Sequence, residues 1–260
     1  MNLKQLVPSY RNRYLFVKES LEQLTAEHSF GRALNLGSGE GDFDPMISNY
    51  VSHLISCDLN SDDSEFAKKS NTQIENVSYE IQNALSLSYD DQSFDLIICI
   101  DVIEHVGKPE KLMDELKRVL KPNGYAIMTY PTLQFPVTYD PVNYFRIKSG
   151  KEKISIGAFA YGHEYLIDND EYRKWCQERN LRILKNESRT QYISSFSEMY
   201  WMGMIQKLFK SNSGNASSEV KTRKGVRPTA KIPGLVIFTD FLNSVDRLVG
   251  GEKSQNQAYI

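Results

Sequence analysis

Little in this chain points to disulfide, metal or membrane-spanning chemistry. Its 260 residues contain three cysteines, Cys57, Cys99 and Cys176. They lie far apart, and no CxxC pair occurs. That pattern excludes a disulfide framework and a Cys-based zinc site, and it suits a reducing cytosol. No metal is expected. No apolar run approaches the ~18 residues that a membrane span needs. The opening stretch, MNLKQLVPSYRNR, lacks the apolar region of a secretory signal, so a cytoplasmic protein is expected. Neither sign of charge dominates: 31 Lys and Arg against 33 Asp and Glu leave a net charge of −2. Such a balance exerts no general pull toward phosphate backbones, so nucleic acid is not an expected partner. Histidine is scarce too, with four in all. Any imidazole base is therefore His28, His53, His105 or His163.

What is present is an alternation of short apolar runs with amphipathic segments, the rhythm of βαβ units around a parallel sheet. A helix is predicted over about Arg11–His28, with Leu15, Phe16, Leu21 and Leu24 on its apolar side. ALNL (33–36), HLISCD (53–58) and VSYEI (77–81) read as strands. FDLIICI (94–100) is the most continuous apolar run, as a central strand covered on both faces should be. KPEKLMDELKRVLKPNGY is a helix: Pro109 sits near its start, Leu112, Leu116, Val119 and Leu120 recur at helical spacing, and Pro122-Asn123-Gly124 stops it. YAIMTY (125–130) follows as a strand, then a helix over 168–180 and a strand in LRILKNE (181–187). After Gln191 the rhythm changes to a Met- and aromatic-rich stretch and then to a Ser/Asn/Gly-rich, basic segment, read as flexible over 211–231. An amphipathic helix is predicted at 234–249, with Phe238, Phe241, Leu242, Val245 and Leu248 on its apolar face. NQAYI is a candidate last strand.

The decisive stretch is RALNLGSGEGDFDPM. Gly37, Gly39 and Gly41 fall where the first strand ends, a turn that exposes backbone N–H groups and lets a flat ligand approach the main chain. Asp58 ends the second strand, 21 positions after Gly37. At that distance a carboxylate can accept both hydroxyls of an adenosine ribose. A dinucleotide fold uses GxGxxG, whereas here the pattern is GxGxG with Asp42 at the third glycine's place. A carboxylate there should repel a pyrophosphate, so the site is shaped for adenosine without phosphates.

With these residues in place the chain resembles the class I S-adenosylmethionine-dependent methyltransferases over about Arg32–Glu187, and is similar to their ubiquinone/menaquinone-pathway group. LNLGSGEGD resembles their glycine-rich motif and CDLN their ribose-binding strand end. QNALSLSYDDQSFDLIICIDVIEHV resembles the stretch from the adenine loop through the fourth strand, and LKRVLKPNGYAIMTYP the helix and strand after it. The resemblance implies an α/β Rossmann-like fold: a seven-stranded, mostly parallel sheet of order 3-2-1-4-5-7-6 flanked by helices, with a helical insertion before the last strand. It implies S-adenosyl-L-methionine as cofactor. Gly37, Ser38 and Gly39 would lie under its methionine moiety, Asp58 and Leu59 at the ribose, and Asn83 and Ala84 at the adenine. Ile100 and Asp101 would stand beside it at the fourth strand's end. Asn35 stands where most members have Asp, so one contact to the cofactor's ammonium should weaken. Arg11, Arg13 and Tyr14 either close over the cofactor or are ordinary exposed helix residues.

Transfer of a methyl group to oxygen needs alignment of the reactants and a base poised near neutral pH. His163 lies in AYGHEYLIDNDEYRKW, which resembles a GTHEW stretch of ubiquinone-pathway O-methyltransferases, and His105 follows the fourth strand. These are the two catalytic candidates. Enzymes of this fold that methylate base or amide nitrogens carry [Asp/Asn]-Pro-Pro-[Tyr/Phe] after strand four; this chain reads IDVI, which disfavours nucleic-acid methylation. Tyr130, Phe135, Tyr139, Tyr144, Tyr200 and Trp201 either line an apolar acceptor pocket or form a core of their own.

The domain plan is a methyltransferase core with an N-terminal helix (1–190), a helical cap (191–250) and a last core strand (251–260). The reading is a metal-independent transferase acting on a small-molecule acceptor, apolar or lipid-linked, at a hydroxyl. Peripheral membrane contact through 221–249, with its run of Lys and Arg, is an open alternative to a solvated lid. An NAD(P)-dependent oxidoreductase and a non-catalytic cofactor-binding scaffold stay open as rival functions.

Overall fold

In the computed structural model, residues 3–134, 140–154, 166–190, 192–197, 234–249 and 256–259 are described. Strand β1 (Phe30–Leu36) pairs in parallel with β2 (Val51–Asp58) on one side and with β4 (Phe94–Ile100) on the other. Beyond β2 lies β3 (Val77–Ile81), and beyond β4 lies β5 (Leu120–Pro131), both again parallel. β7 (Asn256–Tyr259) runs antiparallel along the end of β5 and along β6 (Asn186–Thr190). The sheet order is β3-β2-β1-β4-β5-β7-β6.

The central strands are rich in apolar residues because both faces are covered. Along β4, Leu96 and Ile98 point into one core with Phe16, Val17 and Leu21 of helix α1 (Pro8–Thr25). Ile97 and Cys99 point into the other core, with Leu112, Leu116 and Val119 of α4 (Pro109–Val119) and with Tyr172 and Trp175 of α6 (Asn169–Glu178). Period-2 alternation thus feeds two cores at once. Between these, α2 (Asp44–Ile47) is a single turn after the glycines and α3 (Ser61–Ser70) links β2 to β3. Local signals set the helix starts. Pro8 and Pro109 open α1 and α4, Asn60 Oδ1 accepts from Asp62 N at 3.0 Å to cap α3, and Asp168 Oδ1 accepts from Asp170 N at 2.8 Å to cap α6. Helices α5 (Pro141–Lys148), α7 (Tyr192–Ser197) and α8 (Val236–Val249) complete the described set, with α7 and α8 packed beside α1.

Three expectations are corrected. The first helix starts at Pro8 and ends at Thr25, three residues before His28. The strand expected in LRILKNE begins only at Asn186: Leu181 and Ile183 are half-buried against the α4–α6 core instead of pairing, and pairing with β7 starts where Asn186 meets Tyr259. The apolar stripe of α8 faces outward. Its buried residues are Thr239, Asn243 and Asp246, while Phe238, Phe241 and Leu248 are exposed.

Candidate active site

Among the described residues, the predicted site residues other than Asn35 gather at the carboxyl edge of the parallel strands, the edge where open α/β sheets bind ligands. Gly37, Gly39 and Gly41 follow β1 and hold φ angles of +70°, +53° and +73°. They do different work. A Cβ on Gly37 would overlap Val102 Cγ2, and one on Gly41 would stand 2.6 Å from Asp44 Oδ2, so these two glycines allow close packing. A Cβ on Gly39 would meet nothing within 4 Å, so only this glycine keeps space open for something else. The amides of Gly37 and Ser38 both donate to the carbonyl of Cys57, at 2.8 and 3.0 Å, tying the turn to the end of β2.

Asp58 is held by main chain on both oxygens. Oδ2 accepts from Gly39 N at 2.8 Å and Oδ1 from Asn60 N at 2.9 Å. A carboxylate oxygen can take more than one donor, so this half-buried group keeps capacity for two hydroxyls from outside. Leu59 beside it and Ile81 at the end of β3 are exposed apolar side chains, suited to the faces of a flat ring. The following loop is pinned from below: Arg118 donates to the carbonyls of Leu87 and Tyr89, at 2.9 and 2.6 Å, and Glu115 accepts from Leu87 N at 2.7 Å. That anchoring presents Asn83, exposed, and Ala84, half-buried, at the rim. Asn83 Oδ1 accepts from Leu85 N, which leaves its amide nitrogen directed by the turn.

At the end of β4, Asp101 adopts a φ of +52°. Its carboxylate accepts from Thr129 Oγ1 at 2.7 Å and pairs with Arg13 at 2.8 Å, beside half-buried Ile100. Glu104, three residues further on in a single 3-10 turn (Ile103–His105), is fully buried. Burial, and after it the charge of Asp101, push its carboxyl well above the usual range, which favours the protonated acid. His105 Nε2 lies 3.9 Å from Glu104 Oε1, too far for a hydrogen bond, and its ring is part-exposed at the rim.

Several expectations change here. Asn35 does not face the cleft. It is 3 % exposed, and its Nδ2 donates to Asp44 Oδ1 at 2.7 Å while Ser56 Oγ donates to Oδ2 at 2.8 Å. The carboxylate expected at position 35 stands instead on Asp44, and a second one beside it would repel it. No contact of Asn35 to a ligand ammonium follows. Arg11 and Tyr14 are buried, Arg11 on Asp240 and Gln5, Tyr14 against Phe43; only Arg13 reaches the rim. Asp42 is paired with Lys4, as is Glu40 at 2.9 Å, so repulsion of a pyrophosphate does not follow from its charge. Tyr130 is buried in the core against Tyr172 and lines no pocket, whereas Tyr144 is exposed on α5. His163, Phe135, Tyr139, Tyr200, Trp201 and the basic segment 211–231 lie outside the described residues. Lys4, Arg118 and Asp44 were not singled out in the sequence. Their roles depend on partners 36 to 38, 31 and 9 to 12 positions away, and no local pattern marks them.

The rim therefore combines a side-chain-free stretch of main chain, a carboxylate fixed for a vicinal diol, apolar edges for a flat ring, and cations already engaged by carboxylates. Such a set suits a nucleoside carrying positive charge better than one carrying phosphates. Residues 34–128, which contain all but the catalytic candidate His163 and the engaging residues of α1, match the family described as a methyltransferase domain. That stretch of the chain is similar to a methyltransferase domain. Over 154 residues it is 29 % identical to a demethylmenaquinone methyltransferase from Clavibacter sepedonicus, covering 58 % of this chain and 61 % of that protein. A ubiquinone biosynthesis O-methyltransferase from Coxiella burnetii is 24 % identical over 154 residues, with 58 % and 63 % covered. The chain thus spans about three fifths of the length of these curated relatives. Among solved structures, the YcgJ protein of Bacillus subtilis superposes with a TM-score of 0.53 at 24 % identity, over 75 % of this chain and 85 % of that one, a likeness of fold.

Proposed function

We propose that this protein is an S-adenosyl-L-methionine-dependent methyltransferase that methylates a small-molecule acceptor at a hydroxyl oxygen. One observation carries the reading: Gly39 and Asp58, joined by a 2.8 Å hydrogen bond, set an open piece of main chain beside a carboxylate held for a diol. When bound, the cofactor supplies a methyl group on a positively charged sulfur, open to in-line attack by an oxygen lone pair. Gly37, Ser38 and Gly39 admit the amino-acid end against the main chain. Asp58 and Leu59 hold the ribose, and Asn83 and Ala84 meet the adenine. Ile100 and Asp101 close the floor at β4. The Arg13–Asp101 pair fastens α1 across this edge and helps exclude water.

The acceptor's hydroxyl proton passes to a histidine, His163 or His105, as the oxygen attacks; the imidazole takes the proton and the oxygen keeps the electron pair. A quinol-type acceptor is supported by the names of the two relatives, and the absence of the Pro-Pro motif after β4 speaks against a nucleic-acid substrate. The core at 1–190 and 251–260 and the cap at 191–250 are part of this reading. Hydride transfer with NAD(P) is not favoured, because the family match is to methyltransferases. The test is a calorimetric titration with S-adenosylhomocysteine and with NADH, followed by transfer of a labelled methyl group to catechol and quinol acceptors. Binding of NADH alone overturns the reading, as does binding of S-adenosylhomocysteine with no transfer to any acceptor.

A further inference from the structure

Helix α8 is amphipathic in sequence but sits the wrong way round for a helix that buries its apolar face. Its polar side is the anchored one. Thr239 Oγ1 donates to the Leu6 carbonyl and Asn243 Nδ2 to the Pro8 carbonyl, both at 3.2 Å. Asp246 accepts from the amides of Ile193 and Ser194 at 2.6 and 3.2 Å, and Asp240 pairs with Arg11 at 2.7 Å. Rolling the helix over would break all of these, so its orientation is held by several hydrogen bonds of ~1 kcal/mol or more each. The consequence is an outward face of Leu235, Ile237, Phe238, Phe241, Leu248 and Val249, with both phenylalanines 69 % exposed and Leu248 88 %. A contiguous apolar face of this kind marks an interaction site.

Charge says what it meets. Between positions 207 and 231 the sequence holds seven basic residues and one acidic residue, Glu219, in a chain whose total is −2. In the sequence this basic stretch directly precedes α8. Exposed Arg247 stands at the other end. The same construction recurs on α5, where Asp140 and Asn143 are buried and Val142, Phe145 and Ile147 are exposed beside Arg146 and Lys148. An apolar stripe bounded by cations fits a phosphate-bearing lipid surface.

We propose that the outward face of α8 docks this protein on an anionic lipid surface. The helix lies in the interface without crossing it, and none of the described helices is long and apolar enough to span a membrane. Docking does not depend on the proposed methyl transfer.

The test uses the full chain and flotation with vesicles of phosphatidylglycerol and phosphatidylcholine, against vesicles of phosphatidylcholine alone. The protein should float with the anionic vesicles, detach as salt is raised, and stay behind with the neutral ones. Phe238→Ser/Phe241→Ser should lower partitioning by roughly tenfold or more. It should leave the thermal midpoint and S-adenosylhomocysteine binding unchanged. Leu184→Ser, at an exposed leucine elsewhere, should leave partitioning intact. A chain that ignores anionic vesicles, or a double variant that floats like the parent, overturns the proposal. So does a double variant that melts several degrees lower at constant mass, which would show the face covered by the chain's own segment 198–233. A double variant that changes the oligomeric mass would assign the face to a second copy and equally overturn it.

Discussion

Asn35→Asp would restore the acidic residue that most members of the resembling family carry, and it should harm this protein. In the structure Asn35 Nδ2 donates to Asp44 Oδ1 at 2.7 Å, and burial raises the Asp44 carboxyl from its ordinary 3.8 to about 6. A carboxyl with a higher pKa folded than unfolded binds its proton more tightly in the folded state. Stability from this group is therefore fullest below about pH 4 and falls as pH rises through about 6, by about 3 kcal/mol in all. Replacing the amide donor with a second carboxylate adds a like charge. Two charges ~4 Å apart repel by ~4 kcal/mol at an effective dielectric of ~20. The pair relieves this by holding one proton between its two groups, which is easy in acid and costly at neutral pH. Urea unfolding followed by tryptophan fluorescence should show a loss of ~3–5 kcal/mol at pH 7.5, from the repulsion together with one lost hydrogen bond. At pH 5 the loss should shrink to ~1–2 kcal/mol, because the shared proton restores a hydrogen bond. The exchange variant Asn35→Asp/Asp44→Asn returns donor and acceptor with their positions reversed and should recover most of the stability. An equal loss at both pH values, or none at pH 7.5, would refute the argument.

Other consequences can be measured separately. Asp58→Ala should weaken S-adenosylhomocysteine by ~1–3 kcal/mol in a calorimetric titration, since it removes hydrogen bonds to a charged group; an unchanged dissociation constant would show the ribose held elsewhere. His163→Ala and His105→Ala should each leave cofactor affinity nearly intact, and the one that lowers turnover ~10²-fold or more is the base; if neither does, the oxygen-acceptor mechanism fails. Gly37→Ala should destabilise the fold by ~1–3 kcal/mol in thermal melts, because its Cβ overlaps Val102 at a φ of +70°. Gly39→Ala meets no neighbour, so it should cost less stability while weakening the ligand more. Asp44→Asn should flatten the dependence of stability on pH between about 4 and 6; an undiminished slope would place its origin in another group.

Local pattern alone reached most of the sheet and the rim. β3 and β4 fall on the predicted residues, because VSYEI is bounded by turn residues and FDLIICI is the most continuous apolar run in the chain. Spacing set Asp58 21 positions after Gly37, within reach of the glycine turn, and the structure joins its carboxylate to that turn at Gly39. Where the reading failed, the missing information was a distant partner. Asn35 looked like a weakened cofactor contact because Asp44, its buried acceptor, is invisible until the turn folds back. Asp42 looked like a bare repulsive charge because Lys4 reaches it from 38 positions away. LRIL looked like a strand, yet strand formation needs an edge to pair with, and β7 offers one only from Asn186 onward.

The chain's own order of residues determined that apolar runs and glycines would form a mostly parallel α/β sheet with a glycine-rich turn beside Asp58 at its carboxyl edge. Hydrophobic period and backbone freedom are properties of neighbouring residues, and they survive in a linear text. Only tertiary structure decided which charges are neutralised and which way α8 turns. A helix's amphipathicity states that it has two faces, but burial goes to the face whose partners win. Here Thr239, Asn243 and Asp246 found the carbonyls of Leu6 and Pro8 and the amides of α7, and the phenylalanines were left outside.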